Sequence, residues 1–124
     1  MLIELSRIDR KFKQYLKHVF TTMTKLKITV LKRQDPNDLF EEMPVAKKDW
    51  MVPCDIYEDG QEYIIDKMEM PEGFCGSAWQ TIYPNIRTLY NGGNYSYFDE
   101  KGTAITCCAD GLRPVIFKVE RIED

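Results

Sequence analysis

Four cysteines carry most of the chemical potential of this 124-residue chain. Two are adjacent, in the run Cys107-Cys108-Ala109-Asp110-Gly111-Leu112-Arg113-Pro114-Val115, where thiols, a carboxylate and a guanidinium surround a forced turn. A third, Cys75, stands in Gly73-Phe74-Cys75-Gly76-Ser77 at the foot of a helical pattern. Unpaired backbone N–H groups and the helix dipole stabilise a thiolate there, so Cys75 is the candidate nucleophile or redox thiol. The competing reading is a small residue buried against Trp79, a common fate of free cysteine.

Successive strand residues point to opposite faces, so Cys107 and Cys108 cannot share a pocket. Cys108 is expected to point with Asp110, and Cys107 to pack inside with Ile105. That leaves Cys54, Cys75 and Cys108 as a candidate metal site, with Asp110 or a non-protein group as the fourth donor. Three thiolates suit zinc or an iron–sulfur cluster better than magnesium or calcium, although no Cys-x-x-Cys spacing supports them. Arg113 either pairs with Asp110, the expected arrangement, or presents its planar fork to a small anionic ligand. Arg113, Asp110 and Trp79 are the candidate ligand-binding residues. The Asp-Gly turn and the strand-opening Pro114 also have a purely mechanical explanation.

Other chemistries leave no trace. There is no Gly-rich phosphate loop, no zincin motif and no histidine dyad, the chain having a single histidine. Between residues 68 and 100 the aromatic residues are accompanied by one positive charge, Arg87, which argues against stacking on nucleic acid.

Several elements must hold these residues in place. Hydrophobic residues at 44% and aromatics at 12% suffice for a core without staples. The net charge of -3 conceals an asymmetry. Residues 1–27 hold seven Lys or Arg against two acids, and the remainder ten against eighteen. No apolar run approaches the length of a membrane span and no signal-peptide pattern opens the chain, so a cytoplasmic, reducing setting with free thiols is expected.

From Leu2 to Met23, Leu5, Ile8, Phe12, Tyr15, Leu16, Val19 and Met23 form an apolar stripe opposite Arg7, Arg10, Lys11, Lys13 and Lys17. This predicts an amphipathic helical extension over residues 1–23, packed on the body or on its copy in a homo-oligomer. Residues 24–124 read as one domain. Leu26 to Lys32 alternates as a strand, and Asp35-Pro36 caps a short helix through Phe40. Residues 43–53 are a loop, with Trp50 and Met51 anchoring it to the core. Cys54–Tyr57 and Glu62–Asp66 flank Gly60 as a hairpin. Trp79, Ile82, Ile86 and Leu89 mark a helix that stops at Asn91-Gly92-Gly93, with Pro84 expected to kink or split it. Thr103–Cys108 and Val115–Arg121 form a second hairpin. The order predicts an α+β fold with a mainly antiparallel sheet, barrel-like closure being one arrangement of it.

From about Lys25 onward the chain resembles a small prokaryotic family of short proteins with no assigned function. The resemblance lies in Lys27-Ile28-Thr29-Val30-Leu31, Cys54 ahead of Gly60-Gln61-Glu62-Tyr63, Met70-Pro71-Glu72-Gly73-Phe74-Cys75 with Ala78-Trp79, Gly92-Gly93, and Cys107-Cys108 through Val115. It implies that these blocks form one domain and that all four cysteines fall on motif positions; it supplies no activity. Three functions follow: a thiol-based binding protein for a soft metal or cluster, a small enzyme using Cys75, or a module that self-associates through its N-terminal helix.

Overall fold

The computed structural model describes residues 10–15 and 24–122. Residues 10–15 are helical and exposed, with the Phe12 and Tyr15 rings stacked at 6.3 Å. The rest of the expected amphipathic helix lies outside the described residues. No described helix is long and apolar enough to cross a membrane.

The sheet is built on β1 (Lys25–Arg33), whose alternation sends Leu26, Ile28 and Val30 into full burial. Strand β2 (Glu62–Ile65) pairs with one side of β1 and β4 (Val115–Ile122) with the other, while β3 (Thr103–Cys107) lies beyond β4. The order is β2-β1-β4-β3 and every pairing is antiparallel. The α+β class is as expected, but the sheet stays open. Four strands, two of them short, are too few to curl until their edges meet. On the outer face Lys27 reaches Glu62 and Glu120, each at 3.5 Å.

The first expected hairpin is not formed. Residues 54–57 are not a strand, and β2 pairs instead with β1, from Leu26 opposite Ile65 to Thr29 opposite Glu62. Strand β2 is left as the edge of the sheet, its outer side unpaired among the described residues, and 54–57 turns away to pack beside the helix Gly76–Tyr90 instead, with Tyr57 in the core. Gly60, at φ 87°, still makes the tight turn, but its N–H bonds to the Val30 carbonyl and the Val30 N–H bonds to Gln61. The turn therefore delivers the chain onto β1.

Helix α1 (Pro36–Leu39) starts at Asp35, whose carboxylate accepts the Asn37 N–H at 2.9 Å. The following loop is anchored by Met51, which is buried, whereas Trp50 is half exposed. Asn37 Nδ2 ties the loop down by donating to the Met51 carbonyl at 3.2 Å.

Helix α2 (Gly76–Tyr90) lays Ala78, Ile82, Ile86 and Leu89 on the sheet face formed by Leu26, Ile28, Val30, Ala104, Val115, Phe117 and Val119. Pro84 does not split it. The proline and Gln80, whose carbonyl loses its helical donor, both lie on the exposed side, where water can solvate the freed carbonyl. The far end of α2 is held from the sheet. Arg121 on β4 donates through Nη1 to the Leu89 and Gly93 carbonyls and through Nη2 to Asn94 Oδ1, all at 2.8 Å.

Candidate functional site

Two segments without regular structure, 54–57 and 108–113, meet around the first turn of α2. They enclose an open cavity of about 140 Å³ lined by Cys54, Asp55, Ile56, Tyr57, Cys75, Ser77, Ala78, Cys108, Ala109, Asp110, Arg113 and Val115. Of the residues expected from the sequence, Cys54, Cys75, Cys108, Asp110 and Arg113 are brought together here. Trp79 does not line the cavity; its ring packs against Phe74 at 6.1 Å and Tyr83 at 5.8 Å.

Cys75 is the N-cap residue of α2 and makes no side-chain capping bond, and the first turn contains no acidic residue. Its own backbone N–H donates to the phenol oxygen of Tyr57 at 3.1 Å. Tyr57 is 2% exposed and meets Phe74 and Phe117 edge-on, each at 5.4 Å, so the core fixes the start of the helix. Burial pushes the Tyr57 phenol well above its ordinary range, with the Cys75 N–H opposing. Tyr57 is thus a neutral hydrogen-bonding group at physiological pH and no general base.

Cys108 continues the β3–β4 ladder by one pair. Its N–H donates to the Val115 carbonyl at 3.0 Å and its sulfur accepts the Val115 N–H at 3.3 Å. Cys107 faces the other way, as strand geometry requires, but onto the exposed outer face. The expectation that it packs inside rested on Ile105, which is itself 45% exposed. The inward residue of β3 is Ala104, beneath α2.

Asp110 does not pair with Arg113 as expected. Its Oδ1 accepts the N–H groups of Leu112 at 3.0 Å and Arg113 at 2.9 Å, since a turn aspartate is directed at the amides that follow it. The guanidinium reaches across to the 53–55 segment instead, to the Pro53 carbonyl at 3.4 Å and Asp55 at 3.8 Å. Its Nε is buried without a hydrogen-bond partner among the described residues.

No known family, curated protein or solved structure matches this chain. What the site can do must therefore be read from its own atoms. Among the described residues no three His, Cys, Asp or Glu side chains are grouped closely enough to hold a metal ion, although three thiols share one cavity. Sequence reasoning missed Asp55 and Tyr57. Both lie in the run mistaken for a strand, and neither has a local signal, because their partners are 58 and 18 residues away.

The Cys54 wall is fixed through Arg33 at the end of β1. Arg33 Nη1 donates to the Cys54 carbonyl at 3.0 Å, while its backbone N–H and Nε both donate to Asp59 Oδ1, at 3.0 and 3.1 Å. The Arg33 backbone N–H first, and its side chain second, hold the Asp59 carboxyl below its usual range. The resulting stability is fully present above the unfolded carboxyl value and is lost as pH falls through the lower folded one. Replacing Asp59 by Asn is expected to lower the neutral plateau of a urea-midpoint profile towards its acid value and so to flatten that acid limb. An unchanged acid limb would show that Asp59 is not the group responsible.

Proposed function

We propose that the protein is a thiol-based binding protein of a reducing compartment, in which Cys75 captures a small soft or electrophilic species inside the cavity. The observation that carries this reading is the presence of Cys54, Cys75 and Cys108, from three distant stretches of chain, on one open cavity. Cys75 is the reacting group because it alone stands at a helix N-terminus without a competing cap or acid. Cys54 and Cys108 give the cavity a soft lining for a polarisable atom. Capture by one sulfur is favoured over chelation of zinc or a cluster, because the described side chains form no three-ligand set.

Limiting iodoacetamide followed by peptide mapping tests the reading on anaerobically purified protein. Cys75 is expected to be alkylated severalfold faster than the more exposed Cys107, and Cys75→Ser to remove that fast fraction while the fold is kept. Slower labelling of Cys75 than of Cys107 would refute it. One equivalent of bound zinc or iron in the same preparation would replace capture by chelation.

A further inference from the structure

We infer that the cavity selects small carboxylates, with Arg113 as the group that holds the carboxylate and Asp55 as its resident placeholder. The inference rests on the thiol-binding reading and adds the class of molecule that Cys75 meets. Arg113 lines the cavity with a side chain only 19% exposed. A guanidinium has five N–H donors. Among the described residues they find one long bond of 3.4 Å to Pro53, an ion pair of 3.8 Å to Asp55, and nothing for the buried Nε. A charge so far withdrawn from water needs a well-placed anion.

Asp55 is a poor one. Its side chain is 93% exposed, and an ion pair this long and this wet costs little to break. An incoming carboxylate can displace it and take the planar fork in the two-bond geometry that suits arginine. Asp110, the other acid on the wall, turns its Oδ1 to the Leu112 and Arg113 amides rather than to the guanidinium. The two acids nevertheless set the ligand's charge. A monoanionic carboxylate meets less repulsion from Asp55 and Asp110 than a phosphate dianion would. Ser77 and Ala78 add the acid-free first turn of α2, whose dipole also favours negative charge. A cavity of about 140 Å³ is well below the volume of an ordinary drug-sized pocket, so the ligand has few heavy atoms. The class is a short carboxylate with an electrophilic atom beside it, its anion on Arg113 and its reactive atom at Cys75.

Iodoacetate and iodoacetamide separate this proposal from the reading beneath it. Both deliver the same reaction: the sulfur attacks the methylene carbon, the carbon–iodine bond breaks, iodide leaves with the electron pair, and the thiol proton passes to buffer. Only iodoacetate carries the carboxylate. The measured quantity is the iodoacetate-to-iodoacetamide rate ratio at Cys75 divided by the same ratio at the exposed Cys107. A value of about tenfold is expected, the factor for one charge-assisted arginine contact. Arg113→Met should bring it to about one, Arg113→Lys should keep part of it, and Asp55→Asn should raise it above the parent, with circular dichroism confirming the fold of each. A normalised ratio near one in the parent, or one unchanged in Arg113→Met, overturns the carboxylate proposal. Labelling of Cys75 slower than Cys107 by both reagents instead overturns the thiol reading itself.

Discussion

Phe117→Ala is expected to lower the free energy of unfolding by about 3–5 kcal/mol, the usual cost of emptying a large aromatic site. Phe117 is fully buried on β4, with ring centroids 5.4 Å from Tyr57 and 5.5 Å from Phe74. Its neighbours Val30, Tyr57 and Phe74 are themselves buried in the same cluster, so no exposed side chain stands ready to fill the space. The loss should also reach the cavity. Tyr57 rests on Phe117 and holds the Cys75 N–H, so the variant is expected to blur the difference in labelling between Cys75 and Cys107 even where it remains folded. Urea denaturation gives the first quantity and peptide mapping the second; a loss below about 1 kcal/mol would mean that the cluster repacks around the gap. Phe117→Leu, which keeps most of the volume, should recover much of both.

Arg121→Ala should cost about 1.5–3 kcal/mol, the range for hydrogen bonds to a charged group, because it strips the charged donors from three acceptors at the end of α2. The Gly93 carbonyl loses its 2.8 Å bond outright, while the Leu89 carbonyl keeps only the Gly92 N–H at 3.1 Å and Asn94 Oδ1 only the Gly102 N–H at 2.7 Å. Gly93 is also tied back to the helix, its N–H donating to the Thr88 carbonyl at 2.9 Å. Arg121→Lys should restore less than half, since an ammonium cannot serve three acceptors in one planar fork. Hydrogen exchange should show opening confined to residues 88–94 in the lysine variant. Equal stability of the alanine and parent proteins would refute this account of the helix end.

Both effects arise where local pattern becomes tertiary contact, and the same boundary divides what the sequence revealed from what it hid. Strand β1, helix α2 and the β3–β4 hairpin announce themselves through spacing alone, as does the Asp35 cap. The partner of β2 did not, because Cys54–Tyr57 looks as strand-like as Glu62–Ile65 and lies next to it in the chain, whereas the true partner, β1, lies far earlier. The outward face of Cys107 was obscured by Ile105. Beneath a helix the tight position of β3 went to Ala104, and the larger residue was left outside. Cys54, Cys75 and Cys108, expected at a metal site from their places at the edges of elements, line one cavity but form no metal-holding group among the described residues. The true partner of Arg113 was not anticipated, since a turn aspartate next to an arginine suggests a pair that the turn's own amides pre-empt.

The cavity wall hangs from the frame rather than forming part of it. Cys54 to Tyr57 and Cys108 to Arg113 are irregular stretches, tied to the sheet by Arg33, by the Tyr57 ring against Phe117 and by the Cys108–Val115 pair. Exposed rim positions such as Asp55, Ile56 and Ala109 contribute little to the apolar centre, so the chemistry of the opening can be rewritten while the scaffold stays intact. A fold arranged in this way separates durability from selectivity, and one frame can present different mouths to different molecules.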